Sequence, residues 1–301
     1  MKLPYYYDEV DIEANEGQRL ASPGRCIYCG TTCEELTDEH VIPYALGKNA
    51  LVLLKSCCTS CQKAIQPYEQ HVLRRQLGNF RAQAGAPTRR KKDRPKEITY
   101  EFVEVDDKGK VLRNLGSRKV DTENAPLCLN LWASPPPRIA LPDAAKAGSG
   151  RLWTYSERER LNTMCREVGE ANGAECVAVL LGNIDRTKYL RSLAKTAHAF
   201  ACAKLGIDGF NPLLHDVILC RDDDVSYYVG DIDERDVPQI SNDHSLRIFL
   251  GVPEDGPITG YIVVSVQLFP ELASPVHIIV VGTPNGVTAR RLDAFRDVSE
   301  V

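Results

Sequence analysis

The sequence predicts an α+β protein in two parts, a small unit stabilised by zinc and a larger mixed α+β domain. Two Cys-x-x-Cys pairs, Cys26/Cys29 and Cys58/Cys61, lie near the start of the chain and have the spacing of zinc knuckles. Residues 185–206 carry apolar side chains at helical spacing. Five short β-rich runs follow, which indicate a sheet packed against helices. They are "DVILC" (216–220), "SYYVG" (226–230), "SLRIFLG" (245–251), "GYIVVSVQLF" (260–269) and "VHIIVVG" (276–282).

Composition and charge are those of an ordinary globular protein. The chain has 301 residues, of which 43% are hydrophobic and 26% charged, so it is long enough for roughly two domains. No apolar run approaches the roughly 18 residues of a membrane span. The N-terminus is acidic and has no apolar core, so we expect no signal peptide and a cytoplasmic location. Without export, the eleven cysteines are expected to be thiols or metal ligands, not disulfides.

Composition along the chain predicts five segments. Residues 1–20 are expected to form an irregular N-terminal arm, and residues 21–83 the cysteine-rich unit. Residues 84–97, with glycine, prolines and a charge run, indicate a basic linker. Residues 98–290 are interpreted as a mixed α+β accessory domain, and residues 291–301 as a tail.

Within the accessory domain, the pattern predicts strands and two helices. A strand at 98–105 is followed by the turn "DDKGK" and a partner strand. A helix begins after Ser156, and "ECVAVLLG" indicates a buried strand. The run 185–206 is the strongest helix, and Gly206 ends it. Its apolar stripe consists of Leu190, Leu193, Ala194, Ala197 and Ala201.

The two cysteine pairs predict one structural zinc. Each Cys-x-x-Cys turn presents two thiolates to one tetrahedral ion, and four thiolates leave no position open for substrate. The ligands are therefore expected to be Cys26, Cys29, Cys58 and Cys61. Cys33 and Cys57 lie close to these pairs and are alternative ligands, which we interpret as packing residues.

The order of motifs in residues 24–82 resembles a nuclease family. "CIYCG", "LTDEHVIPYALG" and "CCTSCQ" occur as in the HNH endonucleases, in the subgroup whose ββα-metal core is held by two zinc knuckles. The resemblance implies a hydrolase, a metal-dependent DNA endonuclease. It implies that His40 is the base that activates water and that Glu39 binds the catalytic cation. A neutral imidazole suits the first role, and a carboxylate on Mg²⁺ or Mn²⁺ suits the second. Asp38 is expected to assist as an outer acceptor.

The chain also departs from the family pattern. Gln62 stands where the family often has an Asn or His ligand, and Leu53 where it often has an Asn that orients the base. Glu69 is the best replacement ligand, on the first turn of a helix expected to start at Pro67. Its alternative role is a carboxylate favoured by the helix dipole, and His71 is a weaker candidate ligand. These departures leave open a catalytically inactive protein that binds nucleic acid or a partner through its zinc knuckles.

A basic stretch follows the second knuckle. Between positions 74 and 96 basic residues far outnumber acidic ones, although the whole chain has a net charge of −4. Such a patch binds phosphate locally, and its alternative interpretation is a solvated linker. The residues expected to contact nucleic acid are Arg74, Arg75, Arg81, Arg89, Arg90, Lys91 and Lys92. None of these residues is expected to make base-specific contacts. DNA is expected as the substrate, in preference to RNA, only because of the family resemblance.

The accessory domain carries no chemical motif of its own. It lacks a phosphate loop, a nucleophile elbow and a dinucleotide fingerprint. His198, His215 and the "RDDDVS" run are interpreted as core or turn residues. Substrate positioning, ligand sensing and homo-oligomerisation through this domain all remain open roles.

Overall fold

The computed structural model describes most of the chain. The described residues are 5–6 (backbone), 17–32, 35–47, 50–86, 88, 94–142, 148–182, 184–232, 246–253 and 256–286. The predicted tail 291–301 and most of the predicted arm lie outside them.

The described residues form strands and helices in a mixed α+β arrangement, as the sequence predicts. The strands are β1 (Tyr5–Tyr6), β2 (Gln18–Leu20), β3 (Leu36–His40), β4 (Leu51–Cys58), β5 (Glu97–Val105), β6 (Val111–Asp121), β7 (Cys128–Ala133), β8 (Arg151–Ser156), β9 (Val177–Leu180), β10 (Phe210–Pro212), β11 (Val229–Ile232), β12 (Leu246–Gly251), β13 (Ile262–Leu268) and β14 (Val276–Pro284). The helices are α1 (Tyr44–Gly47), α2 (Thr59–Gln70), α3 (Gly78–Gln83), α4 (Arg158–Asn172), α5 (Arg186–Leu205) and α6 (His215–Ile218).

The cysteine-rich unit is built on a three-stranded sheet. β3 pairs antiparallel with β4, and β2 pairs parallel with the other edge of β4. Residues 18–20 are thus a strand where the sequence predicts an irregular arm, because the free edge of β4 supplies its backbone partners. The chain then enters α2, so strand, strand and helix follow in the expected order. The sheet places the end of β3 beside the last turn of α2.

Helix α2 begins eight residues earlier than Pro67, the predicted start. The Cys58 sulfur caps it by accepting a hydrogen bond from the Cys61 backbone N–H, so the helix starts inside the second knuckle. Pro67 lies within the helix, where its missing N–H removes one helical hydrogen bond. A π-helical segment, His71–Gln76, follows directly, and its wider turn leads into α3. Glu69 therefore lies in the last turn of α2 and not in the first turn of a new helix.

Helix α5 lies at the centre of the molecule. Asp185 caps its N-terminus by accepting a hydrogen bond from the Lys188 backbone N–H. The helix ends at Gly206, as predicted. All residues from Tyr189 to Cys202 are buried, because α5 packs against α2 on one side and against β13 and β14 on another. The predicted apolar stripe is confirmed, but the remaining faces of the helix are buried as well. Charged side chains in this stretch must therefore find partners inside the protein.

The largest sheet has six strands and covers α5. Its order is β1-β12-β13-β14-β10, with β11 also paired to β14, and all of its pairs are antiparallel. The β-rich runs at 245–251, 260–269 and 276–282 are confirmed as β12, β13 and β14. The run "DVILC" is instead mostly helix α6, so that prediction was wrong. Its apolar residues pack in a short helical turn, and periodicity cannot distinguish so short an apolar run from a strand.

A smaller layer contains the first half of the predicted accessory domain. β5 lies between β6 and β9, and α4 packs on the sheet over its own small core of Ile98, Tyr100, Phe102, Ala125 and Met164. The turn "DDKGK" joins β5 to β6 as predicted. The run "ECVAVLLG" was predicted to be a buried strand. The strand is present as β9, but it is half-buried and lies at the edge of the sheet, so only the predicted burial was wrong.

One buried cluster joins the two predicted parts. Ile65 and Tyr68 of α2, Leu193 and Ala197 of α5, and Val264 of β13 belong to the same hydrophobic core. In the expected linker 84–97, the described residues 84–86, 88 and 94–96 lie outside helices and strands, and Glu97 begins β5. The cysteine-rich unit is thus packed onto α5, so side chains from both parts can form one site.

We expect His198 of α5 to make folding sensitive to acid. Its Nε2 donates to the Ile27 carbonyl at 2.8 Å, and burial, together with His215, lowers the pKa of His198 to about 4. The unfolded chain therefore binds the extra proton between pH 6.5 and about 4, and stability falls by about 3 kcal/mol as the pH is lowered through that window.

Denaturant unfolding of wild type and His198→Gln from pH 7 to pH 4.5 measures this effect. The variant keeps an amide donor for Ile27 but has no ring to protonate, so we expect a shallower loss of stability on acidification. Zinc-ligand protonation contributes equally to both proteins and cancels in the difference. Equal slopes for the two proteins would show that His198 does not carry the acid sensitivity.

Candidate functional site

The four predicted zinc ligands come together in the cysteine-rich unit. The sulfur atoms of Cys26, Cys29, Cys58 and Cys61 all lie within 4.8 Å of one another, and those of Cys29 and Cys58 are 3.7 Å apart. A tetrahedral zinc with Zn–S bonds of about 2.3 Å places its sulfur ligands about 3.8 Å apart. The cluster can therefore hold a metal such as zinc, with no ligand position left for chemistry.

Cys57 supports this cluster without belonging to it. A hydrogen bond from Cys57 lowers the pKa of the Cys26 thiol to about 4, which favours the thiolate that a metal binds. The same hydrogen bond, together with burial, raises the pKa of Cys57. Cys57 is thus a protonated donor beside a thiolate, and Cys33 lies outside the described residues.

Two glutamates of the cysteine-rich unit converge on one point. Glu39 is the inward-facing residue near the end of β3 and is 8% exposed. Glu69 projects from the last turn of α2. Both carboxylates form salt bridges, through their Oε1 atoms, with Nζ of Lys195 on α5, and the Glu69 contact is 3.0 Å. The predicted pairing of Glu39 with Glu69 is therefore present, and the cation between them is an ammonium group.

The electrostatics of this group follow from its burial. Burial raises the pKa of Glu39, and the nearby Glu69 adds to this, whereas Lys195 opposes it. Burial by itself lowers the pKa of Lys195, but attraction to Glu39 and Glu69 outweighs it, so the lysine stays protonated. Two carboxylates facing one ammonium carry a formal charge of −1. Such a buried group favours an additional proton or cation.

Tyr28 connects this group to the cysteine cluster. It lies between the ligands Cys26 and Cys29 in sequence and is fully buried. Burial raises the pKa of its hydroxyl, and the charge of Glu39 raises it further, so the side chain is a neutral phenol. The backbone of the first knuckle thus places the uncharged Tyr28 phenol beside the Glu39 carboxylate.

His40 lies next to Glu39 on β3 but extends from the other face of the strand. Successive strand residues alternate in direction, so the imidazole and the Glu39 carboxylate diverge. The half-buried His40 ring packs edge-on against Tyr44, with centroids 5.9 Å apart. Its carbonyl oxygen accepts a hydrogen bond from Lys195 at 3.1 Å. His40 therefore borders the site through its backbone, and its ring packs against Tyr44.

Asp38, the expected outer acceptor, is not brought to the glutamates. Its carboxylate accepts from the Lys55 backbone N–H at 3.0 Å and lies 3.9 Å from Arg19. Asp38 and Glu39 occupy opposite faces of β3, and the register of β3 on β4 shifts between Thr37 and Glu39. The Asp38 prediction is thus corrected, because its carboxylate holds the irregular strand position Lys55, whose φ is +42°, within β4.

The predicted phosphate-binding residues separate into three sets. Arg74 and Arg75 are exposed on the π-helical segment. Arg81 instead donates to the carbonyl oxygens of Ala45 and Leu73 at 2.8 and 2.7 Å, so its guanidinium holds α1 and the π-helical segment together. This corrects its assignment as a phosphate contact. Arg89, Arg90, Lys91 and Lys92 lie outside the described residues.

Sequence reasoning missed Lys195. It is 2% exposed and lies one residue from the predicted apolar stripe of α5, at a position that the stripe assigns to solvent. Only the packing of the cysteine-rich unit against this face buries it. A lysine between Ala194 and Ala197 in an alanine-rich helix is a weak signal by itself.

Comparison with known proteins gives no relative. No family model matches the chain, and neither a curated protein nor a solved structure matches it. Among the described residues, no helix combines the length and apolarity that a membrane crossing needs. The chemistry of the site must therefore be argued from its own residues.

Removing one zinc ligand should unfold the cysteine-rich unit, whereas removing Cys57 should not. We expect the wild type to bind one zinc ion per chain. Cys61→Ser should lose that zinc and at least about 3 kcal/mol of stability, because metal-binding energy is folding energy in such units. Cys57→Ser should retain the zinc. Elemental analysis and thermal unfolding measure both effects, and loss of zinc from the Cys57 variant alone would contradict this choice of ligands.

Proposed function

We propose that the protein is an HNH-type, metal-dependent endonuclease that hydrolyses phosphodiester bonds of DNA. The observation that carries the proposal is the convergence of Glu39 and Glu69 on one cation position, beside a cluster of four cysteines. Oxygen atoms of two carboxylates suit a hard cation such as Mg²⁺ or Mn²⁺. The formal charge of −1 that remains after Lys195 favours such a cation.

The proposed roles follow from the atoms that each residue offers. Glu39 and Glu69, whose Oε1 atoms contact Lys195, are the residues that would hold the divalent cation. When bound, that cation supplies positive charge for the phosphate oxygens during hydrolysis. His40 accepts the proton of the attacking water as a neutral imidazole. The four cysteines, with their zinc, fix β3 against α2 and thereby the spacing of the glutamates.

Substrate contact is assigned to the exposed arginines next to Glu69. Arg74 and Arg75 follow Glu69 along the chain and present guanidinium groups to solvent. Guanidinium binds phosphate oxygens in a bidentate manner, which holds the backbone without reading bases. We therefore propose binding with little sequence preference.

The second candidate function is a zinc-knuckle module that binds nucleic acid or a partner without catalysis. Two observations favour it. The Lys195 ammonium fills the point on which the glutamates converge, and the His40 side chain extends from the opposite strand face to Glu39. In this interpretation the lysine replaces the catalytic cation, and the buried ion group only stabilises the contact between α2 and α5.

Cleavage of supercoiled plasmid tests the first candidate function. We expect nicking that requires Mg²⁺ or Mn²⁺ and a rate lowered at least about 100-fold in His40→Ala, since general bases contribute factors of that size. The matched control is His215→Ala, a half-buried histidine on α6 outside the cysteine-rich unit, which should cleave normally. Zinc content must be equal in all three proteins.

Equal cleavage by wild type and His40→Ala would remove His40 from the mechanism. If the zinc-bound wild type fails to cleave both in Mg²⁺ and in Mn²⁺, the catalytic proposal is wrong and the binding module is favoured.

DNA binding should depend on Arg74 and Arg75 under both candidate functions. We expect Arg74→Ala/Arg75→Ala to weaken binding uniformly across sequences and to reduce the slope of log affinity against log salt by about 2, because two phosphate contacts are lost. Lys63→Ala, an exposed change on α2, is the control. Fluorescence anisotropy at several salt concentrations measures the slope, and an unchanged slope would exclude these arginines from the interface.

A further inference from the structure

The described end of the basic stretch, at Arg94, is held against helix α3. The Arg81 carbonyl of α3 accepts a hydrogen bond from the Ala86 backbone N–H at 2.9 Å, and the Ala86 carbonyl accepts one from Nη2 of Arg94 at 2.6 Å. The next residue, Pro95, is anchored as well, because its carbonyl accepts a hydrogen bond from the Thr122 hydroxyl at 2.8 Å. Arg94 is thus fixed from both sides.

Arg81 places a second arginine beside the first. Its Nη1 group donates to the Leu73 carbonyl at 2.7 Å, so the following residue, Arg74, also lies near the Arg81 side chain. Burial lowers the pKa of Arg81, and the charges of Arg94 and Arg74 lower it further. Both outer guanidinium groups are therefore close enough to Arg81 to repel its charge.

The charges of the two outer arginines are not neutralised by acidic side chains. Arg74 and Arg94 are both exposed, and within the described part of the chain no carboxylate forms a salt bridge with either of them. Exposed arginines elsewhere do find such partners, as Arg113 does with Glu104 at 2.5 Å. Like charges that are gathered in one place destabilise the folded state and attract anions. The arrangement therefore favours a bound anion.

We propose that Arg94 contacts the phosphodiester backbone of nucleic acid together with Arg74. Guanidinium groups bind phosphate oxygens in a bidentate manner. Because the two arginines extend from separate segments, they are expected to contact separate phosphates, as a polymer backbone presents them. The inference deepens the proposed function and rests on it for nucleic acid as the ligand. It assigns a contact to the segment 84–97, which the sequence predicts to be a linker.

Arg81 is the positioning residue of this pair. It is half-buried, and its Nε and Nη1 groups donate to the carbonyl oxygens of Ala45 and Leu73 at 2.8 and 2.7 Å. These bonds hold the π-helical segment in place, while the Arg81 backbone carbonyl holds the segment that leads to Arg94. Arg81 thus acts on the ligand by setting where the two exposed guanidinium groups lie.

Fluorescence anisotropy of the full-length, zinc-bound protein with a short DNA duplex tests the inference. We expect Arg94→Gln to weaken binding uniformly across sequences and to reduce the slope of log affinity against log salt by about 1, because one phosphate contact is lost. Arg166→Gln is the matched control, since it removes the same charge from an exposed position on α4. The control should keep the wild-type slope. An Arg94→Gln slope equal to that of the wild type would overturn the inference.

A footprint of the wild type covers the case in which Arg94→Gln does not fold. We expect bound DNA to protect Arg74 and Arg94 from an arginine-selective dicarbonyl reagent while Arg166 stays reactive, as measured by mass spectrometry of the modified peptides. Full reactivity of Arg94 in the DNA complex would overturn the inference. Protection of Arg94 by inorganic phosphate but not by DNA would overturn it too, because the ligand would then be a small anion.

These outcomes separate the inference from the proposed function. A wild type that cleaves DNA while Arg94→Gln keeps the wild-type salt slope would retain the proposed function and remove only Arg94 from the interface. A wild type that neither binds nor cleaves DNA would remove the proposed function, and this inference with it.

Discussion

The salt bridges of Lys195 with Glu39 and Glu69 join the two parts of this protein. The lysine belongs to the central helix α5, whereas the glutamates belong to the strand and helix of the cysteine-rich unit. Breaking a buried ion group by removing one partner typically costs 3–5 kcal/mol, so this contact strongly constrains how α2 lies on α5. The same three charges define the candidate site, so the packing and the candidate site depend on one interaction.

The cysteine cluster explains how the glutamates are placed. Cys58 ends β4, caps α2 and belongs to the cluster, so one residue fixes the strand, the helix and the metal ligand together. Glu69 lies eight residues beyond Cys61 on α2, about 12 Å along the helix axis. A structural metal and a second cation would therefore occupy separate positions. The zinc would hold the scaffold rigid, and the chemistry would take place at the far end of the helix.

Much of the fold was predictable because its signals are local. The knuckle spacing identified the four cysteines that the structure brings together, and the pattern of 185–206 identified α5 and its end at Gly206. The strands β12 to β14 followed from their short β-rich runs. Errors arose where another residue overrode the local signal. Pro67 predicts a helix start by itself, but the Cys58 cap had already begun the helix.

The site was predictable only in part, because half of it depends on tertiary packing. Glu39 and Glu69 could be paired through the motif order, although the helix that carries Glu69 was given the wrong start. Lys195 could not be found, since the one-sided apolar stripe of α5 assigns it to solvent and only the packing of α2 buries it. The roles of Asp38 and Arg81 were misjudged for a related reason. Their partners are backbone groups of Lys55, Ala45 and Leu73, which no spacing rule reveals.

The most direct test is a crystal structure of the full chain grown with Mn²⁺, with anomalous data collected at the zinc and manganese edges. We expect one zinc peak among Cys26, Cys29, Cys58 and Cys61. We also expect one manganese peak bound by Glu39 and Glu69, with the Lys195 ammonium still in contact with both carboxylates. Zinc in its cluster but no manganese at the glutamates, even at millimolar Mn²⁺, would contradict the metal site and leave Lys195 as its permanent cation.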